Sequence, residues 1–173
     1  MGRHQDIPYF YGVPFRLFRL TEAMFAAAFT ALFTAHHVAD HWIQPQHQAT
    51  TKGEPGWRGR RACAGHVATY TLAQAGALAA VCAVTGERPR PARVAAALAL
   101  SAATHYLADR RTPLRRMAEA TGHGDFFTLG APRAGRDDNP SLGTGAYAMD
   151  QSWHIGWIGV AALLIGSRHQ PGR

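Results

Sequence analysis

The sequence contains few cysteines and few charged residues, and both shortages narrow the possible protein classes. Its 173 residues include two cysteines, Cys63 and Cys82, which lie in apolar sequence without the CxxC spacing of a zinc ribbon. A disulfide-stapled scaffold and a cysteine-based zinc fold are therefore excluded. Charged residues make up 17% of the chain and hydrophobic residues 47%. Such a chain folds around a core, and its length suits one domain rather than a large multidomain enzyme.

Several catalytic and binding motifs are also missing. The sequence has no GxSxG nucleophile elbow, no phosphate-binding P-loop and no HExxH zinc motif. Its formal charge of +7 arises from 18 Lys+Arg, all but one of them arginine, against 11 Asp+Glu. These arginines are spread over every polar segment, and no basic helix carries interleaved base-reading residues. We therefore expect no specific nucleic-acid partner.

Four apolar segments dominate the rest of the chain. They occupy residues 22–41, 62–84, 92–109 and 146–166, and each is about as long as a membrane-spanning helix. The pattern predicts an all-α fold, a four-helix up-down membrane bundle in a single domain over residues 1–173. A basic N-terminal extension at 1–20 and a long loop at 110–145, between helices three and four, complete this prediction. Because two segments are rich in alanine and the mean hydropathy is -0.17, a soluble four-helix bundle is the alternative.

Histidine and aspartate recur together at the ends of these segments. Three of the seven aspartates, Asp40, Asp109 and Asp150, have a histidine four residues away, which puts both side chains on one face of a helix. The other four aspartates occur outside the apolar segments and have no such partner. Because ionisable groups in apolar helices are costly, we interpret the pairs as candidates for function.

An up-down course of the four helices would bring these pairs to one side of the bundle, together with a histidine from the second segment. We predict that this site binds one or two divalent metal ions, either zinc, manganese or iron, because mixed imidazole and carboxylate ligands suit these ions. The predicted ligands are His36, Asp40, His66, His105, Asp109, Asp150 and His154. Asp109 and Asp150 are also candidate catalytic bases. The alternative is that each pair forms only a local ion pair.

Residues beside the predicted site indicate what it binds. Arg110 and Arg111 directly follow Asp109, which makes them candidates for binding an anionic substrate. A basic flank on the cytoplasmic side of the membrane is the alternative. His37 and His41 lie about 100° further round the helix than the predicted ligands, and we expect them to be solvated. The tryptophans on the same side are expected to form an interfacial aromatic belt: Trp42, Trp57, Trp153 and Trp157.

An ordered set of four motifs also carries a family resemblance. The motifs are His36-x-x-x-Asp40 with Gln44, then His66, then His105-x-x-x-Asp109-Arg110, and finally Asp150-Gln151-x-x-His154. Over residues 25–165 the chain resembles the bacterial membrane-protein family catalogued as domain of unknown function 3307, and it is more distantly similar to membrane-bound metal-dependent hydrolases. The resemblance implies an integral protein of the bacterial inner (cytoplasmic) membrane, in contact with membrane lipid. It implies no particular substrate.

Two functions from different classes follow from this pattern. The first is a membrane protein whose metal site activates water to hydrolyse an anionic or lipid-derived substrate. The second is a non-enzymatic membrane protein in which the same groups bind or transfer protons or metal ions. Catalysis needs an open coordination position and a pocket beside it, whereas a purely structural site would be closed. A soluble bundle that binds a partner through its basic loops is a third interpretation.

Overall fold

The computed structural model describes residues 22–136 and 143–167, so the predicted N-terminal extension at 1–20 lies outside the described residues. All regular structure in this part of the chain is helical, which confirms the prediction of an all-α fold. A short π-helical turn, Ala39–Ile43, continues the first helix. The described residues contain seven α-helices, in the order α1 (Glu22–Val38), α2 (Gln46–Thr51), α3 (Gly56–Thr85), α4 (Pro91–Asp109), α5 (Thr112–Ala120), α6 (Gly124–Thr128) and α7 (Gly145–Gly166).

The four predicted apolar segments correspond to the long helices α1, α3, α4 and α7, with one marked difference in length. Helix α3 begins at Gly56, well before the apolar run at 62–84. Its added residues include arginines, which have good helix propensity but do not contribute to an apolar pattern. Pro55 precedes the helix, and Gly86 ends it in the left-handed conformation (φ 74°) that glycine adopts most easily.

The segment 110–145 is not the continuous loop that the sequence predicts, because α5 and α6 occupy part of it. In α5 the buried residues are Leu114 and Ala118, which lie four positions apart on one face. The other residues of this helix are exposed. An apolar stripe of two side chains is too short to stand out in a segment rich in glycine, proline and arginine. Helix α6 packs against α5 and α7.

The four long helices contact one another in a ring. Helix α1 packs against α3 and α7, and α4 packs against the same two helices. Buried side chains four residues apart stack in layers along each helix, as His66, Tyr70, Gln74 and Leu78 do on α3. Beyond the histidines the layers become apolar, and this core contains Met24, Ala28, Leu32, Leu78, Ala97, Ile158, Ala161, Ala162 and Ile165.

A hydrogen-bonded polar layer lies between the histidines and the apolar core. Ser101 Oγ donates to Gln74 Oε1 at 2.9 Å, and Gln74 Nε2 donates to Tyr70 Oη at 2.8 Å. The hydroxyls of Tyr70 and Ser101 are 2.9 Å apart and close the ring of hydrogen bonds. The Tyr70 ring stacks on His105 with the centroids 3.8 Å apart. This layer, which the sequence analysis did not identify, therefore supports the histidine cluster directly.

The surface of α3 bears on the membrane prediction. Among the described residues, α3 is the one helix that is long and apolar enough to cross a membrane, so this criterion is met by one of the four predicted spans. Its best window has a mean hydropathy of 1.6, yet only 22% of that window is buried. On this helix Leu72 and Val84 are 72% and 88% exposed. Helix α3 thus presents an apolar surface that the described residues do not cover.

Candidate metal site

Each of the four long helices contributes one buried histidine to a common cluster. The four are His36 on α1, His66 on α3, His105 on α4 and His154 on α7. The ring centroids of His105 and His154 are 4.2 Å apart, and those of His66 and His105 are 5.1 Å apart. With the three aspartates they form three overlapping groups of candidate metal ligands. The structure therefore brings together all seven residues that the sequence suggested as ligands.

Four of these residues place one ligand atom each in a compact set, which we call the closed set. It consists of His66 Nε2, His105 Nε2, Asp40 Oδ1 and Asp109 Oδ2. The two nitrogen atoms are 3.0 Å apart. Asp40 Oδ1 lies 3.2 Å from the nitrogen of His66 and 3.6 Å from that of His105. Asp109 Oδ2 lies 3.5 Å and 3.2 Å from the same two atoms.

These distances match the spacing of ligand atoms around a metal ion. In a tetrahedral zinc site with bonds of roughly 2.0–2.1 Å, the ligand atoms lie about 3.3 Å apart. His66 Nε2, His105 Nε2 and Asp40 Oδ1 lie 3.0, 3.2 and 3.6 Å from one another, so these three atoms form one candidate ligand group, and Asp109 Oδ2 lies 3.5 and 3.2 Å from the same two nitrogen atoms. Asp40 Oδ1 and Asp109 Oδ2 are also buried and have no hydrogen-bond partner among the described residues. Because buried carboxylate oxygens are costly without a partner, the set fits a metal ion.

A second group of ligand atoms, which we call the open set, adjoins the first. His154 Nε2 lies 3.4 Å from Asp150 Oδ1, and it too is buried without a hydrogen-bond partner among the described residues. These two residues and Asp109 offer ligand atoms within 4.8 Å of one another. The Asp150 side chain is 29% exposed, so that this group is accessible from one side. Three protein ligands with an accessible further position are typical of catalytic zinc sites.

The π-helical turn positions Asp40 at the end of α1. The turn closes with a hydrogen bond of 2.9 Å from the Gln44 amide to the Ala39 carbonyl, which encloses one residue more than a turn of α-helix. His36 Nδ1 lies 3.5 Å from Asp40 Oδ2, which leaves the other carboxylate oxygen for the closed set. On its opposite side, His36 Nε2 is 3.3 Å from Gln151 Oε1. Turns of this kind occur frequently at functional sites.

A lysine that no sequence pattern indicated completes the electrostatics of the site. Lys52, which directly follows α2, places its Nζ 2.7 Å from Asp109 Oδ1, and the two side chains are 13% and 3% exposed. Its positive charge lies beside the two carboxylates of the closed set.

The two arginines that were predicted to bind substrate have different surroundings. A cavity of about 620 Å³ opens beside the open set, and Arg111 is part of its lining. Arg110 does not line this cavity. Its guanidinium instead donates hydrogen bonds to the backbone carbonyls of Lys52 and Glu54, which fastens the end of α4 to the connection between α2 and α3. Of the two predicted arginines, Arg111 is thus the one that lines the cavity.

The aromatic residues near the site occupy different environments. His37 is half-buried and His41 is exposed, and neither belongs to a group of candidate ligands. Trp42 and Trp57 are exposed, as residues of an interfacial belt would be. Trp153 instead bridges two helices, because its Nε1 donates to the backbone carbonyl of residue 104 at 3.0 Å.

No family model, curated protein or solved structure matches this chain. The family resemblance carried by the four sequence motifs therefore remains a prediction. Buried histidines and aspartates that could hold a metal ion are present in the structure, and the functional argument starts from them.

Proposed function

We propose that this protein binds a divalent metal ion, either zinc, manganese or iron, at the closed set. The observation that carries the proposal is that Asp40 Oδ1 and the Nε2 atoms of His66 and His105 lie 3.0 to 3.6 Å from one another. A divalent cation would balance the two carboxylate charges. It would also bind two buried carboxylate oxygen atoms whose neighbours, the imidazole nitrogens of His66 and His105, lie 3.2 to 3.6 Å away.

The open set supports a second ion and a catalytic role. We propose that the protein is a metal-dependent hydrolase of an anionic or lipid-derived substrate. A bound divalent ion supplies the Lewis acidity that makes water a nucleophile at neutral pH. Asp150 would hold the ion through Oδ1, which lies 3.4 Å from His154 Nε2, and its other carboxylate oxygen would accept a proton at this site, because Asp150 lines the cavity. Asp109 also lines the cavity and is the second candidate base.

A non-enzymatic role is the second candidate. In this version the His/Asp cluster binds metal ions or protons, or transfers them, without chemistry on a substrate. The closed set favours this version if both of its carboxylates bind the same ion, because four protein ligands leave no open position on a tetrahedral ion. The two versions differ in whether the open set also takes up an ion.

We further propose that the four long helices form an up-down bundle in a bacterial inner membrane. The uncovered apolar surface of α3 supports this proposal, because a helix in the core of a soluble protein would be mostly buried. Extraction of bacterial membranes with alkaline carbonate tests it. We expect the protein to stay in the membrane fraction, and its release into the supernatant would favour the soluble bundle.

The metal proposal is tested by elemental analysis of the detergent-purified full chain. We expect about one zinc, manganese or iron ion per chain from the closed set, or about two if the open set is also filled. His105→Ala should lose the ion of the closed set, and Asp150→Ala should lose only an ion of the open set. His47→Ala is the matched control, because His47 is exposed on α2.

The outcomes separate the candidate functions. Two ions per chain, one of which depends on Asp150, would favour the hydrolase. One ion that depends on His105 and not on Asp150 would favour the non-enzymatic version. Folded protein without metal, unchanged by either substitution, would show that the pairs are only ion pairs and would end both proposals.

A further inference from the structure

The cavity beside the open set combines three kinds of surface. Its lining includes the cations Lys52, Arg111 and Arg115, and it also includes the carboxylates of Asp109 and Asp150. Apolar side chains complete it, among them Leu114, Phe127 and Pro132. A molecule that fills this space would therefore meet positive charge, the candidate metal ligands and an apolar wall at the same time.

Two of the three cations are available to a bound anion. Lys52 is already paired with Asp109 at 2.7 Å. Arg111 makes one long hydrogen bond, 3.4 Å from its Nη2 to the Ala49 carbonyl. Arg115 lies 3.8 Å from Glu119, and both of these side chains are more than half exposed, so this pair contributes little. Two guanidinium groups can thus bind the oxygen atoms of a phosphate, for which their planar geometry is well suited.

The backbone at Arg111 is held in an unfavourable conformation. Its φ is 59°, a positive value that is unusual for any residue other than glycine. The Thr112 amide donates to the Arg110 carbonyl at 2.6 Å, so that a tight γ-type turn is centred on Arg111. Its side chain passes directly over Gly53, where a Cβ would come within 2.7 Å of Arg111 Cδ. Glycine would suit this backbone better than arginine, which points to a use for the side chain.

The charge balance of the cavity selects among anions. Lys52, Arg111 and Arg115 outnumber the two aspartates by one positive charge. A divalent ion held by those aspartates would leave an excess of three. Such a site favours an anion of higher charge, and a phosphate monoester carries about −1.5 to −2 at neutral pH. A phosphodiester or a carboxylate carries a single negative charge and would neutralise the site less well.

We infer that the cavity binds a phosphate monoester attached to an apolar chain, with the phosphate on Arg111 and Arg115 and the chain against Leu114 and Phe127. This inference rests on the proposed function, because a metal ion must offset the carboxylates of Asp109 and Asp150. It names the substrate class of the same site. A lipid with a terminal phosphate and free phosphate share the head group, and the apolar wall distinguishes between them.

The test uses the detergent-purified full chain and a fluorescent short-chain phosphatidic acid whose binding is followed by anisotropy. The matching phosphatidylglycerol, which carries a single negative charge, is the phosphodiester control, and inorganic phosphate is the competitor without an apolar chain. We expect the phosphatidic acid to bind at least about tenfold more tightly than either. Arg111→Gly and Arg115→Ala should each weaken its binding about tenfold. Arg116→Ala, which removes an exposed arginine outside the cavity lining, should leave it unchanged.

The metal content of the same samples separates failure of this inference from failure of the proposed function. Arg111→Gly should remain folded, because glycine accepts the positive φ at this position. If metal-containing protein binds both lipids equally, or if the Arg111 and Arg115 substitutions leave lipid binding unchanged, the inference is overturned. The proposed metal site is not affected by that outcome. Protein that contains no metal and binds no phosphatidic acid would overturn both. If inorganic phosphate competes with phosphatidic acid at equal concentration, the apolar chain does not contribute to binding, and this part of the inference would be wrong.

Discussion

Replacement of Lys52 by methionine should weaken the fold of the metal-free protein and strengthen metal binding. In the metal-free state Lys52 is the cation that contacts Asp109, at 2.7 Å and in a nearly buried position. Without it, the carboxylates of Asp40 and Asp109 would lie together with no neighbouring lysine. With a divalent ion in the closed set, the same two carboxylates would already be neutralised. The cost of losing Lys52 therefore depends on whether the metal is bound.

The magnitude follows from the burial of the pair. Removal of one partner from a buried ion pair typically costs about 3–5 kcal/mol, and this is the loss that we expect for metal-free Lys52→Met. With metal bound, the loss should fall to about 1 kcal/mol, the size of an ordinary hydrogen bond. The losses of stability without and with metal thus differ by at least about 2 kcal/mol. Because the coupling between the substitution and metal binding is reciprocal, this difference must appear as roughly 30-fold tighter metal binding.

Two measurements check this prediction. The free energy of unfolding of the detergent-purified protein, followed by helical circular dichroism with and without chelator, gives the two losses. Competition with a zinc-binding dye gives the metal affinity. Arg58→Met is the matched control, because it removes one positive charge from an exposed position on α3. Metal affinity that stays the same or falls in Lys52→Met would refute the placement of an ion next to Asp109.

Three further predictions concern stability, and thermal unfolding checks each of them. Removal of metal by a chelator should lower stability by about 2.7 kcal/mol relative to protein in free metal at about 100 times the dissociation constant, and an unchanged melting temperature would contradict this. Gly145→Ala should lower the free energy of unfolding by about 2 kcal/mol or more, because the added Cβ would lie 1.7 Å from the Phe126 carbonyl oxygen. Gly156→Ala, which has open space around the added Cβ, should leave the free energy of unfolding unchanged. Ser101→Ala should cost about 1–3 kcal/mol, because it leaves Gln74 Oε1 without its donor in the buried layer. A neutral effect would mean that this layer does not stabilise the fold.

The seven candidate ligands could be found from sequence because helical geometry fixes their local arrangement. Residues four positions apart share a helix face, so His36 with Asp40 and His105 with Asp109 were predicted pairs before any tertiary contact was known. Four apolar segments of similar length then restricted how the pairs could meet. The number of long helices and the convergence of the histidines followed from these two regularities.

Other parts of the site depend on long-range contacts that leave no periodic signal. Lys52 lies in a polar connection, and nothing in its neighbourhood marks it as the partner of Asp109. Arg110 looked equivalent to Arg111 in the sequence, yet their backbone conformations send the two guanidinium groups to different places. The Tyr70 layer carries no sequence signal of its own, because its members lie singly within apolar runs and at no spacing that marks a site.

The polar layer formed by Tyr70, Gln74 and Ser101 limits the directions from which an ion or a substrate can reach the histidine cluster. Its three side chains are buried and bonded to one another, and closely packed apolar residues follow beneath them. The cavity beside Asp150 lies on the opposite side of the cluster. In the part of the chain that the structure describes, the cavity beside Asp150 is therefore one route by which an ion or a substrate could reach the cluster, and the polar layer closes the other side. For the non-enzymatic candidate this geometry favours storage or delivery of an ion at one membrane face over conduction through the bundle.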